Sequence, residues 1–142
     1  MDRPSLLQLV NRVHRALARD GDAALRPLGL RYAQIPVFAF LVAHPAATQK
    51  ALAEATGIEQ SSMAQLLARM DRDGLIRHEP NPRDARSRTV TLVDPGDPRL
   101  QEGNERLGDL ERTALAGFDA DEIDTLRSLL TRVHHNLDQV RD

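Results

Sequence analysis

Cysteine is absent from the 142 residues. Disulfides, thiolate metal sites, cysteine nucleophiles and thiol redox sensing are therefore excluded together. Tryptophan is also absent, and there are only three phenylalanines and one tyrosine. The core must be aliphatic, built from Leu, Val, Ile and Ala. No apolar run reaches the roughly 18 residues of a membrane-spanning helix. The start Met1-Asp2-Arg3-Pro4-Ser5 has no secretory-leader pattern. These features predict a cytoplasmic chain without a membrane partner. Gly-rich phosphate loops and the G-x-S-x-G pattern are missing too, so an enzyme is not expected.

Metal chemistry finds little footing. His134 and His135 are adjacent, so on a helix they diverge by about 100°. No two of the five histidines share the i, i+4 spacing of a helical zinc site. No metal or other cofactor is expected.

Lysine occurs once, at Lys50; the other 18 of the 19 basic side chains are arginine. Arginine's planar fork suits phosphates and guanine edges, although a GC-rich genome gives the same bias. The net charge of −2 looks wrong for a nucleic-acid binder. Its distribution is more telling. Residues 1–47 carry +3, residues 48–93 carry +1 and residues 94–142 carry −6. The acid sits mainly in the last third, so the centre need not repel phosphate.

Apolar positions Leu6, Leu7, Val10, Val13 and Leu17 have helical spacing, which predicts a helix from about Ser5 to Leu25, weakened at Gly21. The run Ile35 to Val42 predicts a buried helix ended by Pro45. Pro36 requires that this helix either start just before it or kink there. Thr48 is a candidate N-cap and Gly57 a candidate stop for the next helix. Another should span about Glu59 to Asp73, with Met63, Leu66, Leu67 and Met70 inward. Alternation puts Val90 and Leu92 on one face of a strand at 89–93. Asp94-Pro95 and Asp97-Pro98 both look like an N-cap followed by an N1 proline, before a helix to about Ala116, and Asp119 with Glu122 resembles a capping box before a last helix to about residue 140.

The central stretch carries the functional signal. Ala53 lies where two helices must cross closely, and Gly57 where the turn needs a positive φ. This set fits a helix-turn-helix, whose second helix enters the major groove. It also fits an ordinary corner between two helices with a solvated polar face. Gln60, Ser61, Ser62 and Gln65 on the second helix suit base edges. Arg83, Arg86 and Arg88 surround Asp84 in the loop between two strands, and guanidiniums at a loop tip suit a narrow minor groove. Asp84 is expected to pair with Arg86 and hold its fork. Thr48 and Gln49, at the start of the first helix of the pair, complete the candidate contacts.

The runs Gly57-Ile58-Glu59-Gln60-Ser61-Ser62, Gly74-Leu75-Ile76-Arg77 and Asp84-Ala85-Arg86-Ser87-Arg88-Thr89-Val90-Thr91-Leu92 resemble the MarR family of bacterial transcriptional regulators, with the SlyA-like branch nearest. The resemblance implies a mainly α, winged helix-turn-helix fold of about six helices plus a small β-hairpin wing. Residues 30–93 would form the DNA-binding part, and 1–29 with 94–142 the helical dimerisation part, of a single domain. It implies double-stranded DNA as partner, a wing arginine at Arg86 with its acid at Asp84, base contacts at Ser61, Ser62 and Gln65, and phosphate contacts at Arg69 and Arg77. It further implies a small, often aromatic or phenolic, effector, with His14, Arg15, Tyr32 and Phe38 as candidate contacts. The chain departs from the pattern at Ala85, where many members have a second wing arginine. It departs also at Gln65, where the SlyA-like branch tends to have arginine, and at Arg31-Tyr32, where a Thr-Pro type start is usual.

Three amphipathic helices, near 5–25, 98–116 and 120–140, remain outside so small a winged module. Their stripes predict a two-fold homodimer offering two reading helices to half-sites about 34 Å apart on a pseudo-palindromic operator. The competing reading is a winged-helix protein-interaction module that does not bind DNA.

Overall fold

The computed structural model describes residues 3–141. Its elements are α1 (Leu6–Leu25), α2 (Ile35–Ala43), β1 (Ala47–Thr48), α3 (Gln49–Thr56), α4 (Gln60–Arg72), β2 (Ile76–Pro80), β3 (Arg88–Leu92), α5 (Pro98–Ala114) and α6 (Ala120–Gln139), with 3-10 turns at Arg26–Leu28 and Tyr32–Gln34. Six helices and a small antiparallel sheet make the winged-helix fold that the sequence pattern implies. The chain forms two compact units that part within α5, after Leu107.

The first unit holds the aliphatic core. Leu25, Leu30, Val37, Leu41, Leu52, Met63, Leu67, Met70, Ile76 and Val90 are all but inaccessible to solvent. Leu66 is partly buried beside them, and Leu100 and Leu107 of α5 pack on the same cluster. The end of α1 and the start of α5 thus belong with the winged module.

Helix α1 opens with a capping box: Gln8 N–H donates to Ser5 Oγ at 3.2 Å and Ser5 N–H donates to Gln8 Oε1 at 2.9 Å. It runs through Gly21 without a break. The reason for glycine there is a close approach: a Cβ at position 21 would lie 2.4 Å from Tyr32 Cδ2. Tyr32 is fixed on α1 a second time, donating its N–H to Asp22 Oδ1 at 2.8 Å. Pro36 is the second residue of α2, where no intrahelical acceptor awaits its missing N–H. The helix therefore begins just before the proline and is not kinked by it. At the other end His44 precedes Pro45, and its ring stacks on Phe40 with centroids 4.2 Å apart.

The sheet has three strands, in the order β1-β3-β2. The third strand, β1, was not evident in the sequence, and its origin is local. Thr48 caps α3, accepting Ala51 N–H at Oγ1 (3.1 Å), and an N-cap residue sits in extended conformation. That extended pair, Ala47 and Thr48, lies antiparallel to Val90 and Thr89. Helix α3 ends at Gly57 with φ of 73°, a left-handed turn that glycine adopts without steric cost. Ala53 is buried where α3 meets α4.

In the second unit Asp119 and Glu122 cap α6 reciprocally, at 2.8 and 3.1 Å. Arg112 pairs with Asp109 and Arg127 with Asp124. Along α6, Leu126, Leu129, Leu130, Val133 and Leu137 are exposed. On α1, separately, Leu6, Leu7, Leu9, Val10 and Val13 are exposed as well.

Candidate nucleic-acid interface

Two elements of the first unit carry the predicted contacts. On α4, Met63, Leu67 and Met70 face the core. That fixes the roll of the helix and leaves Gln60, Ser61, Ser62 and Gln65 exposed. Positions 62, 65 and 69 follow one another along one face. Arg69 is half-buried, the others fully exposed. Amide and hydroxyl groups at the start of this face can both donate and accept hydrogen bonds, as base edges require.

Gln49 is half-buried, and its Nε2 donates to the Gln60 carbonyl at 3.2 Å, tying the start of α3 to the start of α4. Thr48 is likewise engaged as the cap of α3. A groove of about 580 Å³ opens between α4 and the sheet, lined among others by Thr48, Gln49, Lys50, Asp71, His78 and Arg88. Lys50 and His78 were not among the sequence candidates. Lys50 is the chain's single lysine, the one signal that marked it.

The wing is the loop between β2 and β3. Its tip places Arg83, Asp84 and Arg86 in solvent, with Arg88 exposed at the start of β3. Asp84 does not take the fork of Arg86, as the sequence suggested. Its Oδ1 accepts the backbone N–H of Arg86 at 2.9 Å. Two residues apart, a short carboxylate reaches the main chain more easily than the end of a long side chain. Asn81 does the same one turn earlier, accepting Arg83 N–H at Oδ1 (3.0 Å). Its Nδ2 donates to Ser87 Oγ at 2.8 Å and closes the base of the loop. Asn81 and Ser87 were overlooked, although Asn81-Pro82 is a turn signal. The wing backbone is therefore ordered by side chains, while its guanidiniums form no ion pair among the described residues. Arg77 is different: its Nε donates to Glu79 Oε1 at 2.7 Å along β2. That exposed pair contributes about 0–1 kcal/mol.

The effector candidates are not assembled. His14 and Arg15 are exposed on α1, Tyr32 packs on Gly21, and Phe38 belongs to the core. Phe38 lines a small cavity of about 180 Å³ with Leu75, Val93, Asp97 and Leu100. Among the described residues no cluster of His, Asp or Glu is arranged to hold a metal ion. No described helix is long and apolar enough to cross a membrane.

Just before α5, Asp97 receives Arg99. Arg99 Nε and Nη2 donate to its carboxylate at 3.0 and 2.7 Å, and so does the Arg99 N–H at 3.0 Å. Those bonds to the Arg99 side chain, then its main chain, hold the Asp97 carboxyl below the usual carboxylate range.

Residues 28–87, which span the turn before α2, the helix pair and the wing, match the family model described as MarR family. A mutant MarR from E. coli, solved in complex with operator DNA, superposes with a TM-score of 0.82 at 26% identity, covering 90% of this chain and 92% of that one. A probable transcriptional regulator from Pseudomonas aeruginosa gives 0.81 at 26% identity, over 91% and 96%. The repressor CouR bound to a 23-mer duplex shares the fold, with a TM-score of 0.81 at 24% identity over 92% of each chain. Members of this family are transcription regulators and not enzymes. An exposed polar helix face beside an arginine-tipped wing, the MarR family match over residues 28–87 that hold both, and a fold shared with solved MarR regulators over nine-tenths of the chain support a DNA-binding transcription regulator of MarR-like fold.

Proposed function

We propose that the chain is a homodimeric repressor that reads a pseudo-palindromic operator with α4 in the major groove and the wing in the flanking minor groove. The carrying observation is the unpaired state of both readers. Gln60, Ser61, Ser62 and Gln65 stand exposed on one helix, and Arg83, Arg86 and Arg88 stand exposed around one ordered loop. Ser and Gln at the helix start suit base edges, and guanidiniums on a thin loop suit the minor groove. Arg69 and Arg77 supply phosphate contacts; Thr48 and Gln49 hold the first helix at the backbone. Among the family, the Gly57-Ile58-Glu59-Gln60 run favours the SlyA-like branch.

Dimerisation is supported by the apolar stripes of α1 and α6, each exposed in the isolated chain. Patches of this kind mark association surfaces, and a two-fold pair gives half-sites about 34 Å apart. A small aromatic or phenolic effector releases the operator. Its contacts are drawn from His14, Arg15, Tyr32 and Phe38, completed by the second copy.

The experiment is selection of duplexes from a random pool by the purified protein, followed by binding of the selected site and of the DNA flanking its own gene. An inverted repeat is expected. Gln65→Ala should lose about 1–3 kcal/mol of discrimination at one base position per half-site. Equal losses on operator and random DNA would show that Gln65 reads no base. Failure to bind any duplex would favour a protein-interaction module.

A further inference from the structure

A second basic recess lies on the opposite flank of α4 from the groove that contains Lys50. It has a volume of about 340 Å³ and is lined by Asp22, Arg26, Leu30, Arg31, Arg69 and Asp73, with the Gly29 backbone. We propose that Arg26, Arg31 and Arg69 form a clamp for successive phosphates of a DNA backbone strand. The inference rests on the DNA-reading function and adds two contacts that the helix pair and wing do not contain.

The chemistry of the lining selects an anion. Leu30 is the one apolar side chain in it, whereas sites for apolar small molecules are mostly apolar. None of the three arginines has a carboxylate oxygen within 4 Å among the described residues. Of the two aspartates, Asp22 already has Oδ1 engaged by Tyr32 N–H at 2.8 Å. Three cations therefore face two anions, one of them partly committed. The rim is also fixed from within. Gln34 is wholly buried, and its Oε1 accepts Arg31 N–H at 3.0 Å, which anchors the backbone that carries the Arg31 fork.

The position selects DNA. Arg69 continues the face of α4 that bears Ser62 and Gln65, about one turn, or 5.4 Å, past Gln65. A duplex seated on that face brings a backbone strand past the recess. Arginine contacts to phosphate set the register of a protein on DNA without reading sequence. Arg26 and Arg31 lie outside α4, so removing them leaves the base-reading groups in place.

The test compares the wild type with Arg26→Gln, Arg31→Gln, the double variant and Arg31→Lys, using anisotropy on the selected operator and on random duplex from 50 to 200 mM KCl. Each Gln substitution removes one contact from each copy of the dimer and should lower the slope of log K against log [salt] by about 1.8, so the double variant by about 3.6. Over that fourfold salt range the double variant should lose roughly 150-fold less affinity than wild type. Weakening should be equal on operator and random DNA, and Arg31→Lys should keep the wild-type slope. An unchanged slope in a double variant that melts like wild type and still prefers its operator overturns the clamp and leaves the regulator reading intact. A wild type that binds no duplex fails that reading instead. Thermal stabilisation by inorganic phosphate at constant ionic strength, lost in the double variant while the DNA slope is unchanged, assigns the recess to a free anion and equally overturns the proposal.

Discussion

Replacing Gly21 by alanine should destabilise the protein, against the usual rule for helices. Glycine within a helix costs about 1 kcal/mol relative to alanine, so propensity alone makes Gly21→Ala stabilising. The structure reverses the sign. The new Cβ would lie 2.4 Å from Tyr32 Cδ2, 3.0 Å from its Cγ and 3.2 Å from its Cβ. The last two atoms are near the backbone, which Asp22 holds through the Tyr32 N–H, so the ring cannot simply swing aside. Overpacking of this kind costs about 1–3 kcal/mol. Subtracting the propensity gain leaves a net loss of about 0–2 kcal/mol. The decisive quantity is the coupling. In a Tyr32→Ala background the obstacle is gone, and Gly21→Ala should stabilise by about 1 kcal/mol. A four-way cycle by urea denaturation at one fixed protein concentration should give a coupling of about 1–3 kcal/mol. Stabilisation by the same amount in both backgrounds would show that the tyrosine does not rest on that glycine.

Three further outcomes bear on the wing, the dimer and acid stability. Asp84→Asn should retain DNA affinity because an amide oxygen still accepts Arg86 N–H, whereas Asp84→Ala should weaken binding several-fold; equal losses in titrations would restore a charge-pair role. Joint replacement Leu129→Glu and Leu130→Glu on α6 should shift a micromolar sample from dimer to monomer in sedimentation, and an unchanged dimer would place the interface elsewhere. Asp97 has a lowered pKa, so its contribution is complete above the ordinary value of 3.8 and is lost as pH falls through its folded value. With Arg99 substantially exposed, that contribution is at most about 1 kcal/mol. Wild type should therefore lose slightly more stability below about pH 4 than Asp97→Asn does. Parallel acid limbs would remove the pair from the account.

Much of the fold was legible because its signals are local. Helix starts at Ser5, Thr48 and Asp119, the stop at Gly57 and the inward stripe of α4 each depend on a few neighbouring residues. Pro36 left two options, and the first-turn position decided between them. What escaped depends on partners distant in sequence or on reach. Gly21 read as a weak point because its cause, the Tyr32 ring, lies eleven residues away. Strand β1 is two residues long and exists through Val90 and Thr89. The bond from Gln49 to the carbonyl of Gln60 was hidden as well, since the two residues lie eleven positions apart. Within the candidate site, residue types pointed to exposed surfaces, but not to which carboxylate holds main chain and which holds side chain.

The short pairing of Ala47 and Thr48 with β3 has a mechanical consequence. The central strand of the wing is bonded to the two residues from which the helix pair departs. The finger and the reading helix are thus mounted on one bracket, and neither can slide along a duplex alone. On the proposed mode of reading, this fixes the pitch between the base pairs met by α4 and the step probed by the loop. Adding or deleting a single base pair between those two places would then misalign both at once, which makes spacing as stringent a requirement as the letters themselves.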